Sequence, residues 1–199
     1  MSGAKPIKNE EPSSPYATDG DFCRIFKADM NRLYLLAFLL TANRSLAEKC
    51  FVRGLEDSGK GNPVFKEWAQ SWARRVIIQK AIQMILTQLT ADGASRPMST
   101  GYAESEPAEI ATVLALPTFD RFAFVMSALE RYSDQECSLL LGCTRVAVSA
   151  ARIRALRQIG RSADLQSKVL TLGSNQQPLR DDPGSTLKLD ALSPLATSA

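Results

Sequence analysis

Histidine is missing from this 199-residue sequence, and its four cysteines form no Cys-x-x-Cys pair. The commonest general base of enzymes is therefore absent, and a zinc site would need all four thiolates gathered from distant positions. No glycine-rich phosphate loop, nucleophile elbow or carboxylate pair stands out. We expect no enzyme activity, no small-molecule substrate, no metal and no other cofactor. We expect Cys23, Cys50, Cys137 and Cys143 to be free thiols.

Long apolar runs are also missing. The run LYLLAFLL, Leu33 to Leu40, is far shorter than the roughly 20 residues that cross a bilayer, and it predicts a buried helix segment. Residues 1–20 are polar and rich in proline and serine, unlike a secretory signal peptide. We expect a cytoplasmic protein without a membrane partner.

Acidic residues are scarce in two parts of the chain. Segment 22–90 holds eleven basic and five acidic residues, and segment 121–163 holds seven and three. Between them, 91–120 holds one basic and five acidic residues. Two basic segments separated by an acidic segment favour two folded units that bind a polyanion. Ordinary solvated helix faces would give a similar distribution.

Apolar residues recur at three- and four-residue steps along both basic segments, which is the period of a helix face. The sequence predicts an all-α fold of two small helical domains joined by a flexible linker, with a C-terminal helix-turn-helix and disordered termini. The predicted segments are a disordered tail over 1–20, a helical domain over 21–90, a linker over 91–106, a second helical domain over 107–163, and a disordered tail over 164–199.

Within the first domain we expect one helix over about 21–42. A second helix should start at Ser45, because Glu48 three places later completes the spacing of a capping box. A third helix should cover about 64–89, with Phe65, Trp68 and Trp72 pointing largely inward.

The stretch SDQECSLLLGCTRVAVSAARIRAL, 133–156, holds two apolar runs separated by LGCT. Ser133 and Glu136 match a capping box, and Gly142 can adopt the left-handed conformation that ends a helix. A second helix would then start near Thr144, with an inner face that includes Val148. This is the helix-turn-helix pattern, whose second helix can enter a major groove.

The second helix carries arginines but no acid, since neither Asp nor Glu occurs between 137 and 163. We expect the guanidinium groups to lack partners and to contact DNA phosphates. The inner apolar face should comprise Val148, Ala151, Ala155, Leu156 and Ile159. Residues near the start of the helix would face base edges. The candidate DNA-binding residues are Arg145, Ser149, Ala150, Arg152, Arg154 and Arg157. Alternatively, the helix pair packs as a core and binds nothing. The DNA-binding prediction fails if the guanidinium groups lie against the protein's own carboxylates, or if neighbouring elements cover the outer side of the helix.

At these positions the chain resembles the bacterial RNA polymerase sigma factors of the extracytoplasmic-function type, in the sigma-70 family. The resemblance covers about 45 residues. Its order is Leu-Pro, an arginine four places later, an aromatic-rich helix, a serine and an acid, Leu-Gly, a valine and Arg-Ala. The matching residues are Leu116, Pro117, Arg121, Phe124, Ser133, Glu136, Leu141, Gly142, Val148, Arg154 and Ala155.

The N-terminal part resembles the polymerase-binding domain of that family less closely. Ala47 and Glu48 match its acidic motif, but Lys49 stands at the second acid and Arg53 at the glutamine. The helix around Trp72 keeps several family positions. The resemblance implies that Glu48, Lys49 and Arg53 mark the polymerase-binding face.

The resemblance as a whole implies a sigma-like transcription initiation factor. Its partners would be promoter DNA, core RNA polymerase and an anti-sigma factor. Two alternatives stay open: a degenerate sigma-like protein-interaction module, and a stand-alone helix-turn-helix regulator.

Overall fold

The computed structural model describes residues 14–60, 63–91 and 106–173, with side chains described as far as 87 in the second range and 165 in the third. Over these residues the protein is all-α, as predicted, and has no strand beyond one isolated bridge between Tyr16 and Phe65. None of the described helices combines the length and apolar character needed to cross a bilayer. The helices are α1 (Asp19–Ala28), α2 (Met30–Thr41), α3 (Arg44–Ser58), a 3-10 helix (Lys66–Trp68), α4 (Ala69–Ala91), α5 (Ala108–Leu114), α6 (Thr118–Phe124), a π-helical turn (Val125–Leu129), α7 (Asp134–Leu141) and α8 (Arg145–Gly173).

Helices α1 to α4 pack around a common core. The predicted helix over 21–42 is in fact two helices, because the backbone leaves helical geometry at Asp29, where ψ is 20°. The apolar run in α2 is buried along most of its length, as predicted, since α2 packs against α3 and α4. The largest wholly enclosed side chains of this bundle are Phe26, Leu33, Leu40, Ile77 and Ile78.

Two local predictions for the bundle are wrong. Helix α3 is capped by Asn43, whose side chain accepts a hydrogen bond from the Leu46 amide at 3.0 Å, and not by Ser45. Asparagine is among the best N-cap residues, and it directly follows the left-handed Ala42 that ends α2. Trp68 and Phe65 are 63% and 37% exposed instead of inward-facing, because they lie in and directly before the 3-10 helix and not on the inner face of α4.

The C-terminal helices continue the same cluster of buried side chains. The described residues from 14 to 163 form one compact unit, in which Leu116, Phe122 and Val125 join the core built by α2 and α4. Residues 92–105, nearly all of the predicted linker, lie outside the described residues, as do 1–13 and 174–199 of the predicted tails. Helix α8 continues through the predicted boundary at 163–164 to Gly173.

Arg121 joins the two halves of this core. The side chain is only 5% exposed, and it meets three backbone carbonyls. Nε and Nη2 each donate to the Leu40 carbonyl at 3.3 Å, while Nη1 donates to Leu114 at 3.3 Å and Leu116 at 3.0 Å. Burial lowers the pKa of Arg121 to about 10, so the group stays charged at neutral pH. The cation therefore sits at the C-terminal ends of α2 and α5, where carbonyls lack helical partners and the helix dipole is negative.

The turn between α7 and α8 has the predicted geometry. Ser133 Oγ accepts from the Glu136 amide at 3.2 Å, and Glu136 Oε2 accepts from the Ser133 amide at 2.9 Å. These hydrogen bonds to Ser133 lower the pKa of Glu136. Gly142 ends α7 at φ 63° and ψ 36°, in the left-handed region that glycine adopts without steric cost. The Thr144 hydroxyl then accepts from the Ala147 amide at 3.2 Å and starts α8.

We expect Arg121→Met to lower the free energy of unfolding by about 2–5 kcal/mol, because each buried carbonyl left unpaired costs about 1–3 kcal/mol. Thermal unfolding followed by circular dichroism measures the loss. Arg121→Lys should lose nearly as much, since an ammonium cannot span the same acceptors. The exposed Arg24 on α1 gives the matched control, Arg24→Met. If Arg121→Met melts as the parent does, Arg121 does not hold the core together.

Gly142→Val should destabilise the C-terminal helices, whereas Gly142→Asn should lose less. No atom lies within 4 Å of the position of an added Cβ, so the cost comes from the backbone conformation alone. A left-handed conformation costs a residue with a Cβ about 1–2 kcal/mol, least for Asn, while β-branching adds to it. Chemical denaturation of both variants measures the difference. Equal loss in the two would show that φ at this turn is not the constraint.

Candidate nucleic-acid interface

Helix α8 lies against the protein through a narrow face of small side chains. Val148, Ala151 and Ala155 are wholly buried, as the predicted inner face requires, and Ile159 is half-buried. Leu156 was predicted on this face, but it is 49% exposed. The position lies off the line of the three buried residues, so it turns away from the core.

Two of the predicted DNA-binding arginines are paired with the protein's own carboxylates. Arg152 meets Asp134 through Nη1–Oδ1 at 2.7 Å and Nη2–Oδ2 at 3.3 Å. Arg154 meets the buried Asp120 through Nη2–Oδ1 at 2.6 Å and Nε–Oδ2 at 3.1 Å. Both pairs are bidentate, with two guanidinium nitrogens donating to the two carboxylate oxygens, which is the strongest geometry for an arginine and a carboxylate. Hydrogen bonding to Asp120 also raises the pKa of Arg154.

The expectation that α8's arginines lack acidic partners is therefore wrong for Arg152 and Arg154. It rested on the absence of acids within 137–163, but Asp134 and Asp120 lie 18 and 34 residues before their partners. Both acids belong to the preceding helices and come close only when these pack against α8. An arginine that is already held by a carboxylate has less to gain from a phosphate.

Arg145, Arg157 and Arg161 are exposed, and within the described residues no ion pair or hydrogen bond involves their guanidinium groups. Arg145 lines a shallow, open surface where the first turns of α7 and α8 meet. Ser149 lines the same surface, whereas Ala150 is half-buried beside it. The structure thus brings Arg145, Ser149 and the paired Arg152 to one surface, and leaves Arg157 further along the helix.

Apolar side chains accompany these arginines on the outer surface of the two helices. Val146 is 78% exposed and Leu139 is 74% exposed, and Ile153 and Leu156 are exposed as well. Exposed large apolar side chains that cluster on one surface mark interaction sites. The spacing of the arginines along α8 gave no indication of this apolar surface.

The predicted polymerase-binding residues share one side of α3. Glu48, Lys49 and Arg53 are all exposed, and Val52 between them is 52% exposed. Positions 48 and 52, and 49 and 53, are neighbours on a helix surface because they lie four residues apart. These four residues are called the α3 surface below. Its three charged side chains make no ion pair with any described residue.

No protein-family model matches the chain, and the search of curated proteins finds no match either.

Proposed function

We propose that the protein binds duplex DNA through α7 and α8. The observation that carries this proposal is the position of Arg145 in the first turn of α8. There, a guanidinium that has no ion-pair partner among the described residues lines a shallow surface shared with the start of α7. In helix-turn-helix proteins this part of the second helix contacts base edges, while the first helix crosses the backbone.

The arginines of α8 divide into two roles in this proposal. Arg145 and Arg157 supply charge for phosphates or guanine, because no carboxylate of the described residues pairs with them. Arg152 and Arg154 instead hold α8 at its angle to the preceding helices through Asp134 and Asp120. Ser149 and Ala150 offer one hydroxyl and one methyl group to the bases, so direct readout would be modest.

The resemblance to extracytoplasmic-function sigma factors extends this proposal to transcription initiation. The α3 surface would then contact core RNA polymerase, and α8 would contact a promoter element. Exposure of Glu48, Lys49 and Arg53 on one side of α3 supports the assignment. A sigma-like factor performs no chemistry itself, and its effect comes from binding energy and from stabilising unpaired bases.

A second candidate is a sigma-like module that binds a protein instead of DNA, for example an anti-sigma factor. The exposed Leu139, Val146 and Ile153 favour it, because base edges offer little apolar surface besides the thymine methyl group. Neutralisation of Arg152 and Arg154 favours it too, since it lowers the charge available to a polyanion.

A salt series on duplex DNA separates the two candidates. We expect Arg145→Ala with Arg157→Ala to weaken binding to all sequences and to reduce the slope of log affinity against log salt by about 2, since each phosphate contact contributes about 0.9. Fluorescence anisotropy with a labelled duplex measures both quantities.

Arg154→Ala is the matched control from the same helix. It should lower the melting temperature, because Asp120 is left buried without its partner, and it should leave the salt slope nearly unchanged. A slope that stays the same in the Arg145 and Arg157 double variant would remove DNA binding through α8 and favour the protein-binding module.

Retention on immobilised core RNA polymerase tests the α3 surface. We expect the parent chain to be retained, and Glu48→Lys to reduce retention roughly tenfold or more, because it reverses the charge of the acid that this surface shares with the family motif. Glu109→Lys at the exposed start of α5 is the control for a general change of charge. Failure of the parent chain to bind would rule out the initiation role and leave a DNA-binding regulator.

A further inference from the structure

A cleft of about 730 Å³ opens between the beginning of α4 and residues 130–136. One wall comes from the 3-10 helix and the first turns of α4, and includes Phe65, Trp68 and Trp72. The opposite wall comes from the chain that links the π-helical turn to α7. We call this the aromatic cleft. Its volume lies in the range of about 300–1,000 Å³ that small-molecule sites occupy.

The aromatic rings of this cleft are unusually open to solvent. Phe65 is 37% exposed and Trp68 is 63% exposed, although both are large apolar side chains. Their rings meet edge to face, with centroids 5.4 Å apart and planes at 83°. Tyr16 supports Phe65 from its other side at 4.9 Å. The rings are thus held in place by each other, and they form a preorganised surface against which a planar ring can stack.

Trp72 lines the same wall. Its Nε1 is closed off from solvent and donates to no atom of the described residues. Because solvent does not reach Nε1, a bound molecule meets the ring of Trp72 and not this donor.

The lining of the cleft has one positive charge in excess, because Arg74, Arg75 and Arg131 stand against Glu130 and Glu136. Arg74 is paired with Glu130 at 3.2 Å. Arg75 is half-buried and makes no hydrogen bond or ion pair within the described residues, although its charge contributes to the lowered pKa of Glu136. Arg131 at the rim is exposed. The excess positive charge favours a ligand with one anionic group, and Arg75 is the guanidinium in the lining that can donate to it.

We propose that the aromatic cleft binds a small planar aromatic molecule that carries one anionic group. The ring lies against Trp68 and Phe65, and the anion meets Arg75. The cleft is separate from the α3 surface and from the exposed side of α8. The proposal therefore stands whether or not α8 binds DNA.

Three simple probes separate the contributions of ring and charge. 2-Naphthoate carries both, 2-naphthylmethanol carries the ring alone, and cyclohexanecarboxylate carries the anion alone. Trp68 and Trp72 are the two tryptophans of the chain, so the two indole N–H signals in a ¹H–¹⁵N spectrum of the full chain both report on the cleft. We expect 2-naphthoate to shift both signals and to bind roughly tenfold more tightly than either other probe, as for a charge-assisted hydrogen bond.

Variants assign the two contributions to residues. Arg75→Gln should abolish the advantage of 2-naphthoate over 2-naphthylmethanol, whereas Arg24→Gln on α1 should keep it. Trp68→Ala should weaken both naphthyl probes by a similar factor. Melting curves confirm that each variant is folded before it is compared, and the probe comparison on the parent chain needs no variant.

Several results would overturn the proposal. They are indole signals that do not move at millimolar 2-naphthoate, equal affinity of 2-naphthoate and 2-naphthylmethanol for the parent chain, and an advantage of 2-naphthoate that survives Arg75→Gln. If a short single-stranded oligonucleotide displaces 2-naphthoate at a lower concentration than 2-naphthoate needs to bind, the cleft is a nucleic-acid site instead.

Discussion

The buried guanidinium of Arg121 is the interaction on which the arrangement of the two helical halves depends. Its donors reach Leu40 at the end of α2 and Leu114 and Leu116 at the end of α5. Within the described part of the chain no carboxylate pairs with it, and the carbonyl ends of two helices stabilise its charge instead. A cation that needs acceptors from both halves cannot be satisfied by either alone. Its desolvation is compensated only when α2 and α6 come together, and the position of the C-terminal helices follows from that.

Two ion pairs determine which charges α8 exposes. Asp120, the residue before Arg121 in the chain, is buried and pairs with Arg154. Asp134, the first residue of α7, pairs with Arg152. Both acids hold α8 against the helices before it. The same contacts reduce the positive charge of α8, and they leave its apolar residues beside Arg145 and Arg157. The helix therefore presents a surface that is less basic and more apolar than its composition indicates. Its remaining positive charge favours DNA, and its exposed apolar residues favour a protein partner.

The elements that sequence reasoning predicted well depend on local chemistry. The capping box at Ser133 and Glu136, the left-handed Gly142 and the buried run in α2 each follow from residues within a few positions. Predictions that depended on packing did less well. Trp68 and Leu156 have apolar spacing but face outward, and Ser45 has cap spacing but lies inside a helix that Asn43 begins. Several side chains compete for a helix start or a core position, and only the packed arrangement shows which one occupies it.

The candidate site divides in the same way. From the sequence alone came the all-α fold, the turn at Gly142 and the presence of five arginines on one helix, because propensity, capping and composition are properties of short segments. The tertiary structure decided which of those arginines are paired, because the partners Asp120 and Asp134 lie on other helices. It also created the aromatic cleft, whose walls are far apart in the chain, and it placed Arg121 at two helix ends. Each of these depends on distances between segments that pair only after the chain has folded, and such distances are not encoded in any single stretch of residues.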